Sequence, residues 1–488
     1  MSSIEEDRAE RFDALTAERL DVLVVGGGIV GAGVARDAAM RGLRVGLVEQ
    51  YDMAFGTSSR SSRLLHGGLR YLAQGRIGMV REASREKCIL HRIAPHLSVP
   101  LPFVFPTYSK SGWPLWKLSV GVKLYDLLCG GRNLGRSSSL SREQVLDLLP
   151  GLKPKGLTGA VRYFDGLTND ARLVIDTLHS AVRAGAIVSN HTRLEDASPE
   201  PTGWQCEVTD RLTDRTRRIT ARSVVNATGP WGDRLSHSSI KLRPTKGVHL
   251  VVDFQRLPVC DAVVAAEGSR ILFALPWGDR VILGTTDTDY SGRIEDVRTE
   301  PADVDYVLSV INGAFPTAGL SETDVIGTWA GIRPLIADRH GRPSDISRAH
   351  QINMPEPGWL DIAGGKLTTY RLIAEQAVDR LVRQLGCQAD PCRTADEPLL
   401  EPRRPNPCGG VLPPPITAEV VEHCCRREWV VSLEDLMVRR TSWHYYHADS
   451  MSVARQAAGW MAPLLGWDDN RVRAELTRYL DATKAGLS

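Results

Sequence analysis

Three stretches of the chain share one pattern: an apolar run that breaks off at glycines, with helical spacing after two of them. Residues 21–25, "DVLVV", form a short β-branched run, the mark of a parallel strand buried on both faces. The run leads directly into Gly26-x-Gly28-x-x-Gly31. "GAGVARDAAMRG" then carries apolar positions at helical spacing and stops at Gly42. "RVGLVE" reads as a second buried strand ending on Glu49. "ITARSVVNATGPWGDRL" (219–235) is another strand that ends in Ala-Thr-Gly, from Ala227 to Gly229. "GWLDIAGGKLTTYRLIAEQAVDRLVRQLG" (358–386) gives a strand, Gly364-Gly365 and an amphipathic helix with Leu372, Ile373, Ala377, Leu381 and Leu385 at helical spacing. Residues 240–325 alternate instead in strand fashion ("VHLVVDF", "RILFALPW", "RVILGTTD"), which predicts antiparallel strands with one covered face. Residues 391–417 are Pro-rich and read as a linker, and 418–488 are helical by pattern.

The strand–glycine turn–helix order predicts a dinucleotide site. A helix N-terminus offers free backbone N–H groups to a pyrophosphate, and the glycines allow close approach. Glu49 lies roughly twenty residues on, where a carboxylate bonds ribose hydroxyls. The alternative is that the glycines only form a tight turn. An acid at this position argues against a 2′-phosphate but does not separate FAD from NAD. Glycine turns scattered from 26 to 365 point to one large cofactor gripped along its length.

Composition narrows the rest. A chain of 488 residues is too long for one core, which predicts two or three domains. Hydrophobic residues at 42% and charged residues at 24% fit a globular protein. The net charge of +2 is spread along the chain with no basic stripe, which argues against nucleic acid as a partner. The N-terminus lacks an apolar signal core, and no apolar run is long enough to cross a bilayer. Nine cysteines without a C-x-x-C read as reduced thiols of a cytosolic protein. Cys387, Cys392, Cys408, Cys424 and Cys425, with His423, fit no zinc spacing, so no metal is expected.

The strings "VVGGGIVGAGVARDAAMRG", "TSSRSSRLLHGGLRYL", "VVNATGPW", "LGTTDTDY", "GIRPL" and "GGKLTTYR" resemble the FAD-dependent, quinone-linked glycerol-3-phosphate dehydrogenase family. The resemblance implies an α/β chain: a glutathione-reductase-like FAD (Rossmann-type) domain, an antiparallel-sheet substrate domain and a small C-terminal helical domain. The implied FAD domain is discontinuous (18–105, 165–235, 325–385), with 106–164 and 236–324 as the substrate, or cap, domain. FAD contacts are expected from Gly26, Gly28, Gly31, Glu49, Thr57, Ser58, Ser59, Ser62, Gly67, Gly68, Ala227, Gly229, Gly365, Lys366, Leu367 and Thr368. On the substrate side the family's positions fall on Arg70, Tyr71, His249, Arg333, Arg348 and Lys366. The implied reaction has His249 take the C2 hydroxyl proton of sn-glycerol 3-phosphate while the C2 hydride passes to flavin N5. The product is dihydroxyacetone phosphate, and the electrons go on to a quinone.

Plainer readings stand beside these. His249 also reads as a core histidine, and Arg348 as a solvated arginine. Arg333 sits between apolar "WAGI" and "PLI", an odd place for a surface charge. Asp287 is structural or near the flavin, His66 contacts flavin or packs, and Arg60 and Arg63 are expected to be solvated. Residues 110–136 mix Trp113, Trp116, Leu118, Val122 and Leu127 with Lys110, Lys117, Lys123, Arg132 and Arg136, the makeup of an interfacial helix. The resemblance places such a protein in the cytoplasm, attached peripherally to the inner face of the cell membrane. After "GGKLTTYR" the chain is shorter than the family pattern, which leaves a homodimer open. Alternative functions are a glycerol-phosphate oxidase using oxygen, a dehydrogenase of another polyol phosphate, and a non-catalytic flavin-binding protein.

Overall fold

The computed structural model describes residues 4–72, 75–109, 114–131, 133–267, 270–337, 350–400 and 406–487. The apolar runs of the glycine-turn segments form the centre of one sheet. The first strand, Leu20–Val25, lies between Val45–Val48 and Arg215–Asn226, and the latter pairs with Trp359–Ala363, all in parallel. Buried on both faces, these strands need no alternation, which is why they read as continuous Val and Leu. Three helices, Ile29–Met40, Asp170–Arg183 and Tyr370–Leu385, pack together over one face of this sheet and share a core with it. The N-terminal helix Ile4–Ala17 packs against the same sheet through Phe12 and Leu15, and its Arg8 forms a bidentate pair with Asp210.

The second sheet is mostly antiparallel. Near one end of it, Leu242–Asp253 pairs with Val325–Ile336 on one side and Arg280–Gly284 on the other. Beyond these run Arg270–Trp277, Ala262–Glu267, Val99–Tyr108 and Leu157–Leu167, with helix Pro301–Ala314 packed on the sheet. Residues 99–105, 165–167 and 325–336, expected in the FAD domain, are strand residues of the cap sheet. Backbone pairing decides sheet membership, and an apolar run does not reveal which sheet it joins.

Residues 406–417 and 391–400 contain no helix or strand, as a Pro-rich linker should, but they are docked. Arg36, buried in the cofactor domain, donates to the carbonyls of Thr394 and Glu397, and Leu399 N–H donates to Ile93 O. The C-terminal helices Ala418–Arg427, Ser450–Leu465 and Asp469–Leu487 close around their own core.

Helix Leu115–Leu128 lies on the cap. It buries Leu118, Val122 and Tyr125 and exposes Trp116, Val120, Leu124 and Leu127. Leu118 and Val122, expected on the interfacial face, thus belong to the core. Residues 110–113 and 132, with Trp113, lie outside the described residues. No helix among the described residues is long and apolar enough to cross a membrane.

Candidate active site

Geometry at the first glycine turn leaves no room for side chains. Gly26 has φ +114°, and a Cβ there would lie 2.5 Å from Ala227 O; one on Gly31 would lie 1.9 Å from Gly26 O. Gly28 caps helix Ile29–Met40, whose first N–H, on Ile29, is met by Ser58 Oγ at 3.0 Å. Glu49 accepts from Gly27 N at 2.7 Å and Tyr51 N at 2.8 Å; its burial raises the carboxyl pKa, and these two bonds oppose the rise. Around this turn a cleft of about 390 Å³ is lined by Gly26, Gly28, Glu49, Thr57, Ser58, Ala227, Gly229, Gly365, Lys366 and Leu367. A long groove with glycine walls, a helix N-terminus and a carboxylate fits the pyrophosphate and ribose of a dinucleotide.

Other expected cofactor residues sit elsewhere. Gly31 packs the helix on the strand. Ser59 is buried, and its hydroxyl has no hydrogen-bond partner among the described residues. Gly67 N–H donates to Tyr125 Oη at 2.7 Å, and a Cβ on Gly67 would strike Ser84 and Tyr125. Gly68 adopts φ +80°, and Lys366 Nζ lies 4.1 Å over the Tyr71 ring beside it. Thr368 Oγ1 accepts from His66 N at 3.0 Å, tying the two glycine loops together. Thr192 and Leu194 also line the cleft, and no motif marks them in the sequence; Trp231 and Arg234 line it too, from the 219–235 segment.

The cap sheet borders the groove at Pro334 of strand Val325–Ile336. His249 pairs with Trp329, and Thr245 with Arg333, in adjacent antiparallel strands. Side chains alternate along a strand, so His249, Trp329 and Arg333 share one face. Between them Gly247 faces Gly331. A Cβ on Gly247 would lie 2.4 Å from the Arg333 guanidinium, and one on Gly331 would lie 2.7 Å from Arg60 O. This glycine pair makes the space into which Arg333 folds and against which the serine loop runs. Arg333 donates to Asp287 Oδ1 at 3.0 Å, Thr285 Oγ1 at 3.1 Å and Thr286 O at 3.1 Å. Asp287, left open by the sequence, is thus the carboxylate partner of Arg333.

His249 is buried. Its Nε2 lies 2.8 Å from Ser62 Oγ, Nδ1 has no hydrogen-bond partner among the described residues, and its ring stacks on Trp329 at 5.1 Å and 19°. Burial first, then the charges of Arg333 and Arg63, push its pKa down to about 3, so the imidazole is neutral across the physiological range. Ser62, expected at the cofactor, bonds this histidine, and its neighbour Ser61 lines the cleft. Ser61 of the groove wall directly precedes Ser62, the hydrogen-bond partner of His249. Arg348 and the side chain of Arg70 lie outside the described residues.

Arg63 corrects an expectation: it is 1% exposed rather than solvated. The fold also brings Cys408 and Cys424 to an Sγ separation of 3.4 Å next to buried Glu428. The Glu428 carboxylate is already gripped by both terminal nitrogens of Arg172, a cation where a metal would have to sit.

A dinucleotide groove opening beside a sheet that presents a neutral imidazole and a guanidinium is the layout of a flavin-dependent oxidoreductase. Residues 21–371 match the family described as FAD dependent oxidoreductase, and residues 362–472 match the C-terminal domain of alpha-glycerophosphate oxidase. An aerobic glycerol-3-phosphate dehydrogenase of Staphylococcus aureus is 40% identical over 395 residues, covering 78% of this chain and 71% of that protein. An alpha-glycerophosphate oxidase of Streptococcus pneumoniae is 38% identical over 439 residues, covering 76% of this chain and 72% of its own. The crystal structure of a glycerol-3-phosphate dehydrogenase from Bacillus halodurans, complexed with FAD, superposes with a TM-score of 0.80 at 29% identity over 100% of this chain and 99% of that one. The chain belongs to the FAD-dependent glycerol-3-phosphate dehydrogenase family. It is an enzyme, and FAD is its cofactor.

Proposed function

We propose that the protein oxidises the C2 hydroxyl of sn-glycerol 3-phosphate to give dihydroxyacetone phosphate, and that a membrane quinone is the final acceptor. The observation that carries this reading is the placement of neutral His249 and Arg333 on one sheet face, with Ser62, the partner of His249, next in the chain to Ser61 of the groove wall. FAD, when bound in the groove, supplies the two-electron acceptor. The chain's residues do the rest. Neutral His249 has a ring lone pair with which to take the hydroxyl proton, and Ser62 and Trp329 fix the ring. Arg333 offers a planar fork to the phosphate or to the developing alkoxide, and Asp287 orients that fork. Lys366 lies over the Tyr71 ring and lines the groove at the second glycine turn.

Anaerobic addition of glycerol 3-phosphate to the holoenzyme is expected to bleach the flavin absorbance near 450 nm within the mixing time of a cuvette (roughly one turnover at ordinary enzyme rates). An unchanged spectrum, with FAD bound, would leave the protein as a flavin binder without this chemistry. Repeating the addition with a tetritol phosphate asks how far the site reads chain length. Oxygen is the second reading for the acceptor, favoured by the 38% identity to a protein named as an oxidase. Peroxide yield under air separates the two.

The quinone reading is supported by helix Leu115–Leu128. Trp116, Val120 and Leu127 are 70%, 63% and 73% exposed and, with Leu124, follow one another at helical spacing. Lys117 and Lys123 are exposed on the same helix. An apolar stripe with flanking cations suits the surface of an anionic bilayer at the inner face of the cell membrane. Wild type is expected to float with anionic liposomes, and Trp116→Ser/Leu127→Ser to remain in the dense fraction with its flavin intact. Equal flotation of the two would remove this helix from the membrane reading.

A further inference from the structure

Arg63 is a buried cation that the reaction as described does not use. It follows Ser62 directly, at φ +55°, and is 1% exposed. Its guanidinium lies over the rings of Trp277 at 4.5 Å, Trp329 at 5.1 Å and Tyr445 at 5.9 Å. One terminal nitrogen donates to Ser442 Oγ at 3.2 Å. Nε and the other terminal nitrogen are buried without a hydrogen-bond partner among the described residues, and Asp170 Oδ1 is 3.9 Å from Nε. A buried guanidinium this poorly hydrogen-bonded is costly to fold. Aromatic faces recover part of that cost. The same Trp329 ring also carries the stacked His249. Cation, indole and imidazole therefore form one contiguous set, joined a second time through the backbone because Ser62, which bonds His249, precedes Arg63.

We propose that Arg63 is a positioning residue for the oxidation: it fixes Trp329 against His249 and keeps the imidazole in its proton-accepting form. This rests on His249 being the base. The charged groups around His249 are Arg333, from the neighbouring strand, and Arg63, from the serine loop. Asp287 is engaged by Arg333, and Asp170 lies behind Arg63. Both cations disfavour a charged ring, so removing one raises the pH at which the ring takes a proton. A lysine at position 63 would keep the charge and lose the flat face.

The test follows the His249 ring carbon signal by NMR in holoenzyme with labelled histidine, assigned by its loss in His249→Gln. Wild type is expected to stay unprotonated down to about pH 5. In Arg63→Met the titration is expected to move up by about one pH unit, so that near pH 4 the ring is about half protonated where wild type is still mostly neutral. The acid limb of kcat/KM for glycerol 3-phosphate should rise with it. Arg63→Lys should titrate like wild type. Arg63→Met/Asp170→Asn leaves neither buried charge alone, and it repeats the measurement should the single variant fail to fold. A His249 signal that titrates in these Met variants as it does in wild type overturns the proposal. A signal that moves while the rate profile stays put leaves the hold of Arg63 on the imidazole standing and removes His249 as the base.

Discussion

Arg333→Met is expected to lower kcat/KM for glycerol 3-phosphate by a factor of about a hundred to a thousand, the usual cost of removing one preorganised donor from a developing charge, while FAD stays bound. The guanidinium is 19% exposed and is held by Asp287, Thr285 and the carbonyl of Thr286. These partners fix the orientation of the planar fork. Methionine fills a similar volume over Gly247 and offers no donor. Arg333→Lys restores charge without the fork and should recover little. The cofactor groove touches this strand at Pro334 and not at Arg333, so the flavin-to-protein absorbance ratio should not change. Steady-state kinetics alongside that ratio checks both halves. Near wild-type turnover would take Arg333 out of the site.

Asp52→Ala is expected to destabilise the protein by about 3–5 kcal/mol, the range for breaking a buried ion pair from one side. Asp52 is fully buried in the loop after Glu49. Its Oδ2 accepts from Arg439 Nε at 2.6 Å and from Arg440 at 2.7 Å, and its Oδ1 accepts a second bond from Arg440 at 2.7 Å. Arg439 keeps Glu434 and Asp435 when Asp52 is removed. Among the hydrogen bonds of Arg440, the Glu428 carbonyl then remains, and its charge is left buried. The aspartate thus fastens the C-terminal helical domain to the cofactor domain. Guanidinium denaturation followed by tryptophan fluorescence should show the midpoint falling, with Asp52→Asn intermediate. An unchanged midpoint would mean that the two domains are held together by other contacts.

How much of this was legible in the sequence depended on distance along the chain. The first glycine turn, its helix and Glu49 lie within one short segment, so spacing alone located the groove. Lys366 was marked by its own string. His249 and Arg333 were found only through resemblance, because what joins them is strand register, and register is not written locally. Gly247 and Gly331 are the local traces of that register, yet they mean something only once the two strands are paired. Arg63 was misread for a related reason. A stretch full of serines and arginines looks solvated, and the three rings that bury this arginine come from Trp277, Trp329 and Tyr445, all far downstream. On helix Leu115–Leu128 the mixture of tryptophan, aliphatic and lysine residues was visible, but which aliphatic residues face outward required the packing of Leu118, Val122 and Tyr125.

The groove for FAD is assembled from strands that are far apart in synthesis. Leu20–Val25 has Val45–Val48 at once on one side, but its other neighbour, Arg215–Asn226, and the Trp359–Ala363 strand beyond it arrive much later. At ribosomal speeds of about 5–20 residues per second, the first strand waits on the order of tens of seconds for the last. Loop length adds little to the equilibrium cost of closing such a sheet, but non-local pairing slows its formation. The nascent chain therefore carries an unfinished apolar edge for most of its synthesis. The cleft walls Gly365, Lys366 and Leu367 follow that last strand, so the complete groove exists only once they have been made.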